Sequence, residues 1–256
     1  MTAEGQRVVI TGGAAGIGLA MARAFRDAGA RVAVCDADPA AVEAVDGEGG
    51  LIARVADVTD EAAMAAFFGE VEAALGGVDV LCANAGSGGP AGPVEELALE
   101  DWRACVSVNL DGAFLACRWA AARMKAQGSG LILITSSTAG QHGYPDRSPY
   151  ATAKWGLIGL MKTLAMELGP HGVRVNALCP GAVEGPRMDR VIAMEARAKG
   201  LSEAETRALY VRGVSLRSWV RAEDVAATAL WLASPAADRI SGQAIAIDGH
   251  TETLAP

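Results

Sequence analysis

Short apolar runs alternate along the chain with longer stretches in which apolar residues recur at helical spacing. Arg7–Thr11, Arg31–Cys35, Leu51–Val55, Val78–Cys82, Leu131–Thr135, Val173–Leu178 and Ala244–Ile247 read as strands. Between them the pattern predicts helices up to about Ala28, near Asp60–Leu75, over roughly Glu100–Ala126, over Pro149–Leu168 and over Arg221–Leu232, with a further helical insertion after the sixth strand. The strand runs are rich in Val, Ile and Leu without polar alternation, as strands covered on both faces require. Strand–helix alternation with right-handed crossovers then gives an α/β fold, a Rossmann-like, doubly wound, seven-stranded parallel sheet with helices on both faces. Ligands of such sheets bind beyond the carboxyl ends of the strands, where the winding reverses.

The 256 residues are 51% hydrophobic, which suits a single domain over 1–256 with a sizeable core. No linker, repeat or low-complexity tract divides it, although 86–93 reads as a loop. A net charge of −8 argues against nucleic acid or an anionic membrane surface as the main partner and favours a small molecule. The five cysteines are odd in number and lie mostly within apolar runs, so they read as reduced core residues. The three histidines are too dispersed for a metal site, and none is expected. The chain opens without an export signal, and no apolar run approaches the roughly 20 residues that span a bilayer. A cytoplasmic protein without a membrane partner is expected.

Tyr150 and Lys154, four residues apart, share one face of the predicted Pro149–Leu168 helix and set a phenol beside an ammonium. Such a pair can move a proton, although its spacing alone is weak evidence. Ser148 before Pro149 reads as an N-cap followed by a first-turn proline, and Leu157, Leu160, Met161, Leu164 and Leu168 continue an apolar stripe. The pair therefore opens a helix facing the expected cleft.

A second signal, Thr11-Gly-Gly-Ala-Ala-Gly-Ile-Gly18, follows the first strand directly and opens the first helix. Gly12, Gly16 and Gly18 carry the pattern, with Ile17 between the last two. Missing side chains let the backbone approach a pyrophosphate, whose charge meets the unpaired N–H groups and positive dipole end of the helix. Asp36, at the end of the second strand, stands where a carboxylate accepts both ribose hydroxyls of an adenosine. It favours NAD and disfavours NADP, because a 2′-phosphate would face Asp36 with Asp38 nearby and no Arg or Lys in the glycine loop. An ordinary strand-end acid looks the same in isolation; the distance from the glycine loop distinguishes the two.

From the first strand to about Gly249, the chain resembles the short-chain dehydrogenase/reductase family. Besides the glycine loop, Asp57-Val58 resembles the family's adenine-contacting element and Asn84-Ala85-Gly86 its Asn-Ala-Gly element. The resemblance implies Asn109, Ser137, Tyr150 and Lys154 as catalytic residues, with Ser137 thirteen residues before Tyr150 as the family's spacing requires; Ser136 fails that spacing. Pro180, Gly181 and Val183 match the cofactor-contacting element after the sixth strand, and Tyr150 and Lys154 would also touch the cofactor. Two departures stand out. Gly185 then Pro186 replace the threonine the family often has there, and His250 replaces a frequent glycine. The family also implies a homotetramer whose C-termini pack together, where His250 could reach a neighbour.

Oxidising an alcohol needs a base for the hydroxyl proton, yet a free phenol with a pKa of about 10 is mostly neutral near pH 7. An ammonium beside it lowers that value. Ser137 would then hold the substrate oxygen, Lys154 would bind the nicotinamide ribose, and the resemblance gives Asn109 a water relay. A lid is expected over about 184–217, where seven bases and four acids lie between Pro186 and Arg217. Charge mixtures of this kind are mostly solvated helix faces, and the alternative is that Arg187 or Arg190 meets an anionic or polar substrate group. Among the loop residues, His142 and Tyr144 can line a substrate pocket, although a loop histidine is more often solvated; His171 reads as surface.

Three functions fit these residues. The preferred one is NAD-dependent oxidation of a secondary alcohol, a sugar, polyol or other small polar or anionic hydroxy compound. An NAD(P)H-dependent carbonyl or 3-oxoacyl reductase shares every catalytic residue. A dinucleotide-sensing protein without chemistry would have no need of the Ser137, Tyr150 and Lys154 set.

Overall fold

All seven strands form where the apolar runs lie. The computed structural model describes residues 1–252, apart from the side chains of Arg187 and Ala198. The first half runs β1 (Arg7–Thr11), α1 (Gly16–Asp27), β2 (Arg31–Asp36), α2 (Pro39–Val45), β3 (Ile52–Val55), α3 (Glu61–Leu75) and β4 (Val80–Ala83). Two helices, α4 (Leu99–Val106) and α5 (Gly112–Gln127), lead to β5 (Gly130–Thr135), α6 (Ser148–Leu168) and β6 (Val173–Pro180). After these come α7 (Pro186–Lys199), α8 (Glu203–Arg212), α9 (Ala222–Leu232) and β7 (Ala244–Ile247).

The strands make one sheet in the order β3-β2-β1-β4-β5-β6-β7, with every pairing parallel. Strand side chains alternate between two apolar layers. Val9, Leu81, Ile132 and Ile134 face the layer closed by α3, α5 and α6. Val8, Ile10, Val80, Leu131 and Leu133 face the layer closed by α1 and α9. With both faces buried, each strand tolerates an unbroken apolar run. The order reverses between β1 and β4, so their carboxyl ends open the crevice that positions the site.

Three local features differ from the sequence expectations. The long helix predicted over roughly Glu100–Ala126 is divided, because Ser107–Asp111 forms a π turn between α4 and α5. That wider turn carries Asn109 inward to complete burial. The N-cap of α6 is Arg147, without a side-chain cap, and Ser148 is already helical. The chain enters through a tight turn with Asp146 at φ 59°, and the Arg147 carbonyl accepts the first helical hydrogen bond from the Ala151 N–H at 2.9 Å. Ser148 Oγ is therefore turned inward and has no hydrogen-bond partner. Helix α2, finally, is short and was not expected; the Asp38 side chain caps it by accepting from the N–H groups of Ala40 and Ala41, ahead of Pro39.

All five cysteines are buried as free thiols. Burial pushes the thiols of Cys35, Cys82 and Cys117 up to about 12, well above the range in which a thiolate reacts. A thiol reagent at mildly alkaline pH should therefore leave the native protein unlabelled and modify all five cysteines once urea unfolds it. Rapid labelling of the native protein would contradict this packing.

Candidate active site

The loop after β1 is held shut by Asn84, the first residue after β4. Its Nδ2 donates to the carbonyls of Thr11 and Gly12, both at 3.1 Å, and its Oδ1 accepts from Thr135 Oγ1 at 3.1 Å. Thr11 Oγ1 in turn accepts from the N–H groups of Asn84 and Ala85. One amide thus ties together the carboxyl ends of β1, β4 and β5. Gly18 has to lack a side chain, since a Cβ there would lie 1.9 Å from the Gly12 carbonyl oxygen. Its absence lets α1 begin against the loop, and Ile17 packs into the layer beneath.

The N-cap of α1 is Ala15, which supplies no capping side chain, and a Cβ on exposed Gly16 would meet nothing within 4 Å. The first-turn N–H groups thus face an open cradle suited to phosphate. Asp36 closes its far end, accepting from the Ala14 N–H and the Asp38 N–H, each at 3.2 Å. Its own carbonyl accepts from the Ala56 N–H, which brings Asp57 and Val58 alongside. Asp57 is exposed, while Val58 is buried against Gly112 of α5. An uncapped helix, a glycine cradle and an acid at the adjacent strand end fit a nicotinamide dinucleotide.

The catalytic candidates gather at the next strand ends. Lys154 is 3% exposed, and its Nζ donates to the Thr135 carbonyl at 3.0 Å and lies 5.5 Å from the Tyr150 ring centroid. Ser136 Oγ donates to the Lys154 carbonyl at 2.8 Å, which fastens the end of β5 to α6 and leaves Ser136 structural. Ser137 Oγ accepts from the Ala139 N–H at 3.1 Å, which leaves its own proton available to a further acceptor. Asn109 Nδ2 donates to the carbonyls of Ser87 and Cys105, while its buried Oδ1 has no hydrogen-bond partner. A Cβ on Gly86 would lie 2.7 Å from that oxygen and 3.3 Å from Lys154 Nζ, so only glycine admits both side chains.

A family model of the short-chain dehydrogenase type, described as Enoyl-(Acyl carrier protein) reductase, matches residues 12–250. The chain belongs to the short-chain dehydrogenase/reductase family. It is 37% identical to cis-4-hydroxycyclohexanecarboxylate dehydrogenase of Sinomonas cyclohexanicum, over 94% of each chain. It is 34% identical to D-beta-hydroxybutyrate dehydrogenase of Rhizobium meliloti, over 94% of this chain and 96% of that one. Among solved structures, NAD+-bound xylitol dehydrogenase superposes with a TM-score of 0.92 at 27% identity, over 98% of this chain and 100% of the other.

In this short-chain dehydrogenase/reductase, β6 runs on through Pro180, and the Gly181 N–H donates to the Ile247 carbonyl. Val183 bridges to Val220, so the segment after β6 is fixed at the foot of α9 before Gly185 and Pro186 open α7. Helices α7 and α8 occupy the expected lid. Asp189 pairs with Arg207 and Glu195 with Lys199, so part of the lid's charge is balanced internally. Arg190 is exposed on α7, and the Arg187 side chain lies outside the described residues. The Tyr144 hydroxyl lies 3.3 Å from that of Tyr210, which donates to Glu195 at 2.6 Å. Burial raises both phenols, so they stay protonated and join α7 and α8 to the loop before α6.

Half-buried His142 is held through its backbone, its N–H donating to the Thr138 carbonyl and its carbonyl accepting from Trp155 Nε1. His250 adopts φ 67° where glycine would be unstrained, steadied by Asp248, which accepts its N–H, and by Ser215 Oγ, 2.7 Å from its Nδ1. The site also contains a residue that sequence reasoning passed over. Arg147 is 6% exposed, and its Cζ lies 5.6 Å from the Tyr144 ring centroid and 5.5 Å from that of Tyr150. Its position three residues before Tyr150, on the same helical face, was the available signal.

Asn84→Ala should unfasten the cradle, destabilising the protein by about 1–3 kcal/mol through the unmet carbonyls and weakening dinucleotide binding. Urea unfolding and a dinucleotide titration read the two effects; an unchanged affinity would deny the clamp its role.

Proposed function

We propose that the protein is an NAD-dependent dehydrogenase that oxidises a secondary alcohol, a sugar, polyol or other small polar or anionic hydroxy compound, to its ketone. The buried Lys154 ammonium beside the Tyr150 ring carries this reading. A neighbouring cation favours the phenolate, and the phenolate takes the proton of the substrate hydroxyl. Ser137 donates a hydrogen bond to the same oxygen and holds it in place as charge develops. NAD, held by the Gly12–Gly18 loop and Asp36, would supply the acceptor for the hydride that leaves the carbinol carbon. Lys154 would also bind the nicotinamide ribose, and Pro180, Gly181 and Val183 would contact the nicotinamide end. The buried, unmatched Asn109 Oδ1 supports a role in ordering water along the proton's way out.

Asp36 supports NAD over NADP, because its carboxylate lies against the glycine loop where a 2′-phosphate would meet like charge. Asp57 and Val58 complete the adenine side. Two relatives are named for alcohols that bear a carboxylate, which supports the anionic end of the substrate range. The reverse reading, an NAD(P)H-dependent carbonyl or 3-oxoacyl reductase, has the reductase description of the matching model in its favour and Asp36 against its NADPH form. A cytoplasmic homotetramer completes the proposal, and light scattering on the purified protein reads its assembly.

Tyr150→Phe should lower kcat/KM about 100- to 10,000-fold while leaving NAD affinity intact. A variant that still turns over would remove Tyr150 from the chemistry. Asp36→Ala should lower the preference for NAD over NADP about 10- to 100-fold. An unchanged preference would place the selecting group elsewhere.

A further inference from the structure

The geometry points to Arg147 as the receptor for a carboxylate on the substrate, which makes the substrate a short hydroxy acid. This deepens the dehydrogenase reading and rests on it. Arginine is the most persistent of the side-chain cations, and at 6% exposure Arg147 has given up nearly all its water. A buried charge is normally paired. Yet among the described residues no carboxylate lies within 4.0 Å of it, whereas Arg7, Arg23, Arg26, Arg54, Arg123 and others all have one.

What holds the guanidinium is weaker. One terminal nitrogen donates to the Gly88 carbonyl at 2.7 Å, and the rings of Tyr144 and Tyr150 flank it. Its buried Nε–H has no acceptor. Arginine presents Nε–H beside a terminal N–H as a planar fork matched to a carboxylate, so this orphan donor is half of a recognition element. The Gly88 contact anchors the fork to the loop that also carries Gly86 and Ser87, both packed on Asn109.

Position supplies the rest. Arg147 caps α6 and lies one helical turn before Tyr150, and its charge sits 5.5 Å from the ring that takes the substrate proton. An anion bound there belongs to the same small molecule as the reacting hydroxyl. The lid does not compete for it, since Glu195 is engaged by Tyr210 and Lys199. Arg190, by contrast, is exposed and spends no desolvation energy on an anion.

The test compares wild type with Arg147→Gln on 3-hydroxybutanoate and butane-1,3-diol, which share a carbinol and differ in the carboxylate. The acid's KM should rise about 10- to 100-fold, while kcat/KM for the diol and the affinity for NAD stay within about threefold. Equal losses on acid and diol with a displaced pH profile would overturn the proposal and assign the cation to Tyr150; no loss on the acid would overturn it equally. Should the Gln variant fail to fold, Arg147→Lys keeps the charge without the fork, and must weaken the acid several-fold more than the diol.

Butanoate, which lacks the reacting hydroxyl, gives a readout free of turnover. Calorimetry on the NAD-loaded protein should detect its binding to wild type and lose at least tenfold in affinity with Arg147→Gln. Arg147-dependent butanoate binding without oxidation of any alcohol would sink the dehydrogenase reading and keep this one. Alcohol oxidation with butanoate binding that is absent, or indifferent to Arg147, would do the reverse.

Discussion

A lysine ammonium held almost out of water at the carboxyl edge of the sheet is the constraint around which the site is arranged. At 3% exposure Lys154 needs acceptors and a nearby electron-rich group to offset lost hydration. The Thr135 carbonyl meets it directly, which requires β5 to stop extending at that residue, and Ser136 then turns back to bond the Lys154 carbonyl. Gly86 lacks a side chain because Lys154 and Asn109 close over it from two directions. The π turn before α5 exists in the same crowded space, where an ordinary helical turn would leave Asn109 on a different face. Three chain segments, after β4, after β5 and at the start of α6, thus converge on one charge.

Much of this was legible in the sequence. The apolar runs located every strand because a sheet buried on both faces leaves no room for polar alternation, and β-α alternation fixed its parallel order. The glycine loop, Asp36 and the Tyr150–Lys154 pair were readable because backbone approach and proton transfer restrict the residue types that can serve. Less visible were features created only by tertiary contact. Nothing local distinguishes a π turn from the helix around it. Ser148 looked like a cap, but the Asp146 turn moved the helix start to Arg147. Arg147 itself reads as a surface charge until Tyr144, Tyr150 and the Gly88 loop fold over it.

Charge is distributed unevenly along the chain. The chain carries a net −8, yet two cations, Lys154 and Arg147, each lie 5.5 Å from the Tyr150 ring centroid. The 186–217 segment carries an excess of basic residues, and part of that charge is neutralised within it. Helices α7 and α8 are tied to the loop before α6 by neutral phenols, Tyr144 against Tyr210, and Tyr210 to Glu195. Among the described residues no helix is long and apolar enough to cross a membrane, and no cluster of His, Cys, Asp or Glu could hold a metal.

With only three tyrosines, the central claim that Lys154 prepares Tyr150 as a base can be measured without a substrate. Burial raises the phenols of Tyr144 and Tyr210, so any phenol ionising below the free value of about 10 must be Tyr150. An absorbance titration of phenolate in the wild type, Tyr150→Phe and Lys154→Met would follow it. The account predicts one early phenol in the wild type, absent from Tyr150→Phe and moved upward in Lys154→Met. Three phenols ionising together at or above the free value would contradict it.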